Sequence, residues 1–242
     1  APSSFRRQHQ AMPAPATPAD PEPLLRLLLP GQPARVREAL AWLARPGHHL
    51  LGRQDPRYPP LLRQAPQPPQ ALFVDGDPDL LWLPAVAVVG SRGASAGGCD
   101  NARRFSATLC RAGVAITSGL AAGIDASAHQ AALATPAGIT LAVLGTGPDL
   151  AYPRRHADLR ERIAAQGAVV SEHPPGTAAR TWHFPARNRI IAGLSLGTLV
   201  VEAALRSGAL ITARLAAEAG REVFAIPGSI HQPQARGCHR LI

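Results

Sequence analysis

The sequence predicts an α/β protein in which a doubly wound, mostly parallel β-sheet of the Rossmann type follows a small helical segment. Two observations predict this fold class. From residue 85 onward, apolar stretches of strand length alternate with stretches of helical periodicity, which is typical of a parallel sheet covered by helices on both faces. In addition, seventeen of the 25 prolines precede residue 85. This shift in composition separates the regular region from what comes before it.

The segments before residue 85 are short. Residues 1–23 contain Pro and Ala runs without apolar periodicity and are predicted to be a disordered tail. Residues 24–53 are predicted to be a small helical segment, because 24–29 and 36–43 place apolar residues at helical spacing. A proline-rich connector and a short strand at 71–74 then lead into the main domain, which we place at residues 54–242.

The main domain contains the alternating elements. The predicted strands are 85–89, 114–117, 139–144, 168–171, 198–202 and 222–226. The predicted helices are 97–112, 124–134, 156–166, 186–193 and 209–219. Right-handed crossovers between parallel strands give the doubly wound arrangement. Because ligands of such sheets bind at the carboxyl ends of the strands, the candidate site consists of the residues that follow each strand.

Composition and charge narrow the possible functions. All 25 basic residues are arginine, and after Pro84 there are sixteen of them against nine acidic residues. This excess of positive charge suggests a polyanionic partner. The longest apolar stretches have only strand length, so we expect no membrane span. Three cysteines without a CxxC pair argue against a disulfide scaffold and against a zinc ribbon.

Small and basic residues follow the predicted strands, where glycines allow close approach of a ligand and helix amino termini attract anions. Each glycine also suits a tight turn, and each arginine suits a solvated surface. Their coincidence at one edge favours a basic crevice that binds phosphates. The residues assigned to it are Gly90, Ser91, Arg92, Ser118, Gly119, Gly145, Gly147, Arg154, Phe184, Arg187, Asn188 and Arg189.

A second group of residues is predicted to be structural or to line the pocket. It comprises Asp125, Glu172, Glu202, Ser207, Gly208 and Thr212. Glu202 is expected to pair with Arg187 or Arg189. Asp125 begins a predicted helix, where an acidic side chain is stabilised by the helix dipole. Phe184 either fills the core or offers a ring on which a base can stack.

Three enzyme and cofactor motifs are absent or out of context. A dinucleotide fingerprint would need glycine where Arg92 stands. A Walker A motif needs lysine, which this chain lacks. Ser195 lies in a formal GxSxG, but a helix precedes it and a strand follows, the reverse of a nucleophile elbow. We therefore expect no cofactor, no metal and no catalytic residue.

Eight motifs follow one another along the main domain. They are Gly90-Ser91-Arg92; Ser118-Gly119-x-Ala121-x-Gly123-Ile124-Asp125-x-x-x-His129; Gly145-x-Gly147-x-Asp149-x-x-Tyr152-Pro153; Ser171-Glu172; Phe184-Pro185-x-Arg187-Asn188-Arg189; Val201-Glu202-Ala203; Ser207-Gly208-x-Leu210-x-Thr212; and Pro227-Gly228. In this order, residues 58–242 resemble the bacterial DNA-processing protein A family (DprA or Smf).

The resemblance implies an extended Rossmann-like DNA-binding domain, with a small helical domain before it and a winged-helix-like domain after it. It implies a non-enzymatic, cytoplasmic protein of natural transformation (competence) and DNA recombination. Such proteins bind incoming single-stranded DNA, protect it and help to load the RecA recombinase. The phosphate-binding residues named above would then contact DNA. A homodimer is left open as the assembly.

The chain departs from the family pattern at three places. Arginine replaces the lysines that often contact DNA, and His156 stands where asparagine usually follows Tyr-Pro. Residues 237–242 read Gly-Cys-His-Arg-Leu-Ile, and the chain stops there, inside a motif. We therefore expect a truncated chain that lacks the winged-helix-like domain.

An alternative function rests on a fainter resemblance. Gly197-Thr198-x-x-x-Glu202 is similar to part of the motif of the lysine-decarboxylase-like nucleoside-monophosphate phosphoribohydrolases, in which a glutamate and an arginine act on a glycosidic bond. The glycine-rich stretch that precedes this motif in those enzymes is replaced here by residues 190–195. Hydrolysis of AMP would distinguish this enzyme from a DNA-binding protein.

Overall fold

The structure of the protein is a computed structural model that describes residues 20–242. Most of the predicted disordered tail, residues 1–19, lies outside the described residues. The first helix begins at Glu22, two residues before the predicted start of the helical segment. No helix in the described part of the chain is long and apolar enough to cross a membrane.

Helices and strands alternate along most of the described chain. The helices are α1 (Glu22–Leu28), α2 (Pro33–Leu43), α3 (Pro60–Gln64), α4 (Ala96–Arg111), α5 (Ile124–Ala134), α6 (Ala157–Gln166), α7 (His183–Gly193), α8 (Gly208–Glu218) and α9 (Arg236–Leu241). The strands are β1 (His48–Gly52), β2 (Ala71–Gly76), β3 (Ala85–Val89), β4 (Ala115–Ser118), β5 (Thr140–Leu144), β6 (Ala168–Ser171), β7 (Gly197–Val200) and β8 (Glu222–Ala225).

Within residues 20–242 the eight strands form one sheet in the order β1-β2-β6-β5-β4-β3-β7-β8. Strands β3 to β8 are parallel to one another, which confirms the predicted mostly parallel, doubly wound α/β fold. The chain adds β4, β5 and β6 on one side of β3 and then adds β7 and β8 on the other. The winding direction therefore changes between β3 and β7, and such a switch point is where ligands of these sheets commonly bind.

The amino-terminal part differs from the purely helical segment predicted over 24–53. Its last residues form β1, which pairs antiparallel with β2, and β2 pairs antiparallel with β6. The five residues of β1 show no strand-like alternation of burial, so the local pattern carries no signal for this strand. Pairing with the apolar β2 determines it. The predicted proline-rich connector likewise contains the short helix α3.

Helices cover both faces of the sheet. Helices α3, α7 and α8 pack on one face, where Leu62, Ile190 and Ala213 belong to one buried cluster. Helices α4, α5 and α6 cover the other face. Helices α1 and α2 pack through Leu25 and Trp42 against Phe73 of β2. The central strand β5 is buried at all five positions, as expected for a parallel strand between two helical layers.

Candidate functional site

An exposed guanidinium and two aromatic rings meet at the carboxyl edge of the sheet. The guanidinium carbon of Arg92, in the loop after β3, lies 5.6 Å from the centroid of the Phe184 ring. Phe184 lies in the first turn of α7, and its ring is 5.0 Å from that of Tyr152 in the segment after β5. Tyr152 is 46% exposed. Three segments distant in sequence therefore form one continuous polar and aromatic surface.

A second pair of the same kind lies directly before α7, two residues from Phe184. Trp182, directly before α7, is 63% exposed, and the guanidinium carbon of Arg180 lies 5.6 Å from its ring centroid. We call Arg92, Tyr152, Arg180, Trp182 and Phe184 the arginine–aromatic surface. Guanidinium groups bind phosphates, and exposed rings stack on nucleic-acid bases. The chemistry of this surface therefore suits single-stranded nucleic acid. Arg154 is exposed two residues after Tyr152.

Arg187 lies beneath this surface and is only 4% exposed. Its Nη1 donates to the carbonyl oxygens of Gly119 (2.7 Å) and Val143, at the ends of β4 and β5. Burial lowers the pKa of Arg187 to about 10, so the group remains charged at neutral pH. The sequence predicted that Arg187 faces a phosphate. In this structure its hydrogen bonds are instead directed to the protein backbone.

The buried carboxylate of Asp125 complements the charge of Arg187. Its Oδ2 accepts hydrogen bonds from the backbone N–H groups of Gly119 (3.1 Å) and Ala121 (3.4 Å). Burial raises the pKa of Asp125, while Arg187 acts in the opposite direction. Asp125 thus fixes the loop between β4 and α5.

The same loop contains a strained residue. Leu120 has a φ of +58°, a left-handed conformation that is unfavourable for a residue with a Cβ. Its side chain is fully buried, and its carbonyl oxygen accepts a hydrogen bond from Nδ1 of His156 (2.9 Å). The histidine that departs from the family pattern therefore supplies a donor to this loop. Core packing and this bond hold the strained backbone in place.

Arg189 and Glu172 form an ion pair. The Nη1 and Nη2 atoms of Arg189 donate to the two carboxylate oxygens of Glu172 at 2.8 and 2.6 Å, and its Nε donates to the carbonyl of Gln67. Arg92, Arg187 and Arg189 were predicted to converge on one rim. The structure places only Arg92 there as an exposed group, because the other two are bound by protein acceptors.

Glu202 was predicted to pair with Arg187 or Arg189, and this prediction is wrong. Its carboxylate accepts hydrogen bonds from the backbone N–H (2.9 Å) and Oγ (2.5 Å) of Ser95, directly before α4. A Cβ at Gly98 would overlap with this carboxylate. At the switch point between β3 and β7, the protein's own carboxylate therefore occupies the position at a helix amino terminus where Rossmann folds bind phosphate.

The remaining predicted residues support the loops. Ser118 Oγ donates to the carbonyl of Val88 (2.6 Å), Gly147 N donates to that of Thr177 (2.8 Å), and Asn188 Nδ2 donates to that of Gly208 (3.3 Å). Gly90 packs against Ile124, and Gly145 packs against Phe184. The Ser91 carbonyl accepts a hydrogen bond from the Ile124 N–H (3.2 Å), the Ser207 N–H donates to the carbonyl of Ala204 (3.0 Å), and Thr212 Oγ1 donates to the carbonyl of Gly208 within α8 (3.4 Å). These residues shape the carboxyl edge of the sheet, and the arginine–aromatic surface covers it.

His129 belongs to the buried layer below Arg187. It is fully buried on α5, and its Nδ1 lies 2.7 Å from Oγ1 of Thr140. Burial lowers the pKa of His129 to about 3, so its ring is neutral in the folded protein. Among residues 20–242, its Nε2 has no hydrogen-bond partner.

Sequence reasoning missed three residues of the arginine–aromatic surface: Tyr152, Arg180 and Trp182. The sequence contained a signal for them: Tyr152 belongs to the motif that ends at Pro153, and Arg180 and Trp182 place a basic and an aromatic residue two positions apart. Ser195, the centre of the formal GxSxG, is fully buried and donates to the carbonyl of Ile191 (2.9 Å). Its hydroxyl is not placed to attack a substrate.

Comparison with known sequences identifies relatives over most of the chain. The family described as DNA recombination-mediator protein A matches residues 49–242. Protein Smf of Escherichia coli (strain K12) is 51% identical over 208 residues, covering 86% of this chain and 55% of Smf. DNA processing protein DprA of Streptococcus pneumoniae is 48% identical over 188 residues, covering 78% of this chain and 66% of DprA. The chain thus spans between half and two thirds of these curated relatives.

Solved structures show the same fold. The crystal structure of DprA from Streptococcus pneumoniae matches with a TM-score of 0.80 and 44% identity, covering 86% of this chain and 71% of that chain. DNA processing protein A from Helicobacter pylori, whose structure concerns its single-stranded DNA binding mode, matches with a TM-score of 0.70 and 28% identity. That match covers 76% of this chain and 83% of the other. The resemblance inferred from the eight motifs is confirmed.

We predict that Gly119→Ala destabilises the protein by roughly 1–3 kcal/mol, as overpacking of a tight interior does. The added methyl group would overlap with the guanidinium of Arg187. Gly97→Ala is the matched control, because only an ordinary 3.8 Å contact with Ser95 Oγ awaits a Cβ there. Urea unfolding of both variants measures the difference. Equal stability of the two variants would contradict the close packing of Gly119 on Arg187.

We also predict that His129 makes stability depend on pH. Below about pH 6.5 the unfolded state takes up a proton that the folded state excludes, since the folded pKa of His129 is about 3. The free energy of unfolding should therefore fall as the pH decreases from 6.5 toward 3, by at most about 1.4 kcal/mol per pH unit from this group. His129→Gln should flatten that slope in urea unfolding at several pH values. An unchanged slope would show that His129 is protonated in the folded state.

Proposed function

This chain belongs to the DNA recombination-mediator protein A family, and from that premise we propose that it binds single-stranded DNA through the arginine–aromatic surface. The observation that carries the proposal is the contact of Phe184 with both Arg92 and Tyr152, which combines an exposed positive charge with aromatic rings. The biological role we propose is protection of incoming DNA during natural transformation and help in loading the RecA recombinase. We place this activity in the cytoplasm.

Each residue of the arginine–aromatic surface has its own role in the proposed binding of DNA. Phe184 is held from below by Gly145 and from the side by Tyr152, so the orientation of its ring is fixed before DNA binds. Arg92 lies over this ring and remains exposed, which leaves its guanidinium able to contact a backbone phosphate. Tyr152 and Trp182 present ring surface to solvent, where unpaired bases can stack.

The proposed ligand is a single strand rather than a duplex. Stacking on Tyr152 or Trp182 requires bases whose faces are free, and the bases of a duplex are already stacked on one another. The Helicobacter pylori relative, whose structure concerns single-stranded DNA binding, supports the same class of ligand. RecA as a partner and a homodimer as the assembly are proposed from the family resemblance, without a structural observation behind them. They can be tested by RecA filament formation on protein-coated single strands and by light scattering.

We propose further that the protein is not an enzyme. The Glu202 carboxylate is bound to Ser95 and does not face a nucleotide, which argues against the phosphoribohydrolase alternative. Ser195 is buried, and among residues 20–242 no group of three or more His, Cys, Asp or Glu side chains could hold a metal ion. We therefore expect no hydrolysis of AMP by the purified chain.

We predict that Arg92→Glu weakens single-strand binding and reduces its dependence on salt. Loss of one phosphate contact should lower the magnitude of the slope of log affinity against log salt by about 0.7. Fluorescence anisotropy of a labelled oligonucleotide at several salt concentrations measures both effects. The control is Arg214→Glu, because Arg214 is 68% exposed on α8 and pairs only weakly with Glu218 (3.7 Å).

Arg35 would be unsuitable as a remote control. Its Nη2 donates to Oγ1 of Thr177, in the loop that leads to Arg180 and Trp182. If Arg92→Glu and Arg214→Glu reduced affinity equally, binding would depend only on net charge, and the assignment of the site would be wrong.

We predict that Tyr152→Ala and Phe184→Ala each cost about 1–3 kcal/mol of single-strand affinity, the usual contribution of one stacked ring. Tyr152 is half exposed, so its removal should hardly change the melting temperature. Phe184 distinguishes the two interpretations left open by the sequence. Lost affinity at an unchanged melting temperature indicates a stacking platform, and a collapse in stability without a selective loss of affinity indicates a core residue.

A further inference from the structure

A groove with three arginines runs between α4 and α5, outside the arginine–aromatic surface. It has a volume of about 550 Å³. Arg103, Arg104 and Arg111 of α4 line it, and its floor is formed by small side chains, among them Ala107 and Ala131. The groove is therefore open enough to accept a ligand and is bordered by positive charge on one side.

These guanidinium groups are largely free of acidic partners. Arg104 is 79% exposed and lies 4.0 Å from Asp100, a pair that contributes little in water. Among residues 20–242, no ion pair engages Arg103 or Arg111. Arg111 Nη2 donates to Oγ1 of Thr108 (3.0 Å), which also lines the groove and holds the Arg111 guanidinium at its border.

Helix α4 connects the groove to the arginine–aromatic surface: the helix begins close to Arg92, and the lining of the groove starts at Arg103, about 10 Å further along the helix. Arg92 lies three residues before Ser95, whose Oγ accepts a hydrogen bond from the first turn of α4. Helix α4 has 16 residues and therefore extends about 24 Å away from that point. Arg103 and Arg111 lie about 12 Å apart along this helix. Exposed arginines thus lie before α4, at Arg92, and along α4 from its middle to its end, at Arg103, Arg104 and Arg111.

We infer that this groove, which we call the α4–α5 track, binds the backbone of the same DNA strand as it leaves the arginine–aromatic surface. The inference rests on the proposed function and extends it, because it gives the path that the bound strand takes and a second set of phosphate contacts. Residues Arg103, Arg104 and Arg111 would contact phosphates through charge alone, without reading sequence.

An exposed ring favours DNA over an acidic peptide as the occupant. Phe105 is 46% exposed and lies three residues before Thr108, so the two share one face of α4. A base of the same strand can stack on this ring, whereas an acidic peptide has no need of it. The combination of arginines and an exposed ring repeats the chemistry of the arginine–aromatic surface.

The test compares short and long oligonucleotides. One single-strand site covers about 4–16 nucleotides. Labelled oligo(dT) of roughly 6 nucleotides lies near the lower limit of this range, and oligo(dT) of roughly 24 nucleotides lies above it. The wild-type protein should bind the long oligonucleotide more tightly. The variant Arg103→Glu/Arg111→Glu should bind the short one as the wild type does and should lose the gain with length. Its salt slope on the long oligonucleotide should fall in magnitude by about 1.4, for two phosphates.

The matched control is Arg26→Glu/Arg214→Glu, which makes the same change in net charge at two arginines that are each 68% exposed. This control should keep the gain with length. If the Arg103→Glu/Arg111→Glu variant proves unstable in a thermal melt, Arg103→Gln/Arg111→Gln replaces it and should show the same selective loss.

Three results would overturn the proposed α4–α5 track. The Arg103→Glu/Arg111→Glu variant (the track variant) could bind DNA as the wild type does, or it could lose affinity equally for short and long oligonucleotides. The control variant could also lose as much affinity as the track variant. Polyglutamate that binds the wild type but not the track variant, and binds more tightly than DNA, would identify an acidic protein partner instead. If the wild-type protein binds neither oligonucleotide, the proposed function itself fails. If it binds both with the same affinity, only the track fails.

Discussion

The buried guanidinium of Arg187 is the interaction on which the candidate site depends. It connects the carbonyl ends of β4 and β5 and places the first turn of α7 against them. That placement brings Phe184, three residues earlier, to the outer surface beside Arg92. Gly119 must lack a side chain so that the guanidinium fits, and the Asp125 carboxylate balances its charge. A charged group inside the protein thus determines which groups are exposed above it.

The sheet could be predicted from the sequence because burial on two faces demands apolar strands. Strands β3, β5 and β6 lie at or within one residue of their predicted positions, since each is a short apolar run. Strand β1 could not be predicted, because its five partly polar residues form a strand only by pairing with β2. Local sequence does not encode such pairing.

The residues assigned to the candidate site follow the strands at the carboxyl edge of the sheet, but which of their side chains are exposed there could not be predicted. Sequence position brings Arg92, Arg187 and Arg189 into the same loops and helix start, yet it does not reveal which of them meets an internal acceptor. The glycines were interpreted as room for a ligand. In the structure, Gly119 makes room for the protein's own Arg187, and Gly98, which was not assigned to the site, makes room for Glu202. Side-chain exposure, which depends on the whole fold, distinguishes the two cases.

The three tryptophans of this chain differ in their surroundings, so their intrinsic fluorescence can distinguish the candidate site from the rest of the protein. Trp42 is 5% exposed against Phe73, and Trp82 donates through its indole nitrogen to the carbonyl of Arg57. Trp182 is the strongly exposed one and lies on the arginine–aromatic surface. A ligand that covers this indole changes its emission, while the other two provide a constant background. Intrinsic fluorescence can therefore follow occupancy of the site in an unlabelled sample.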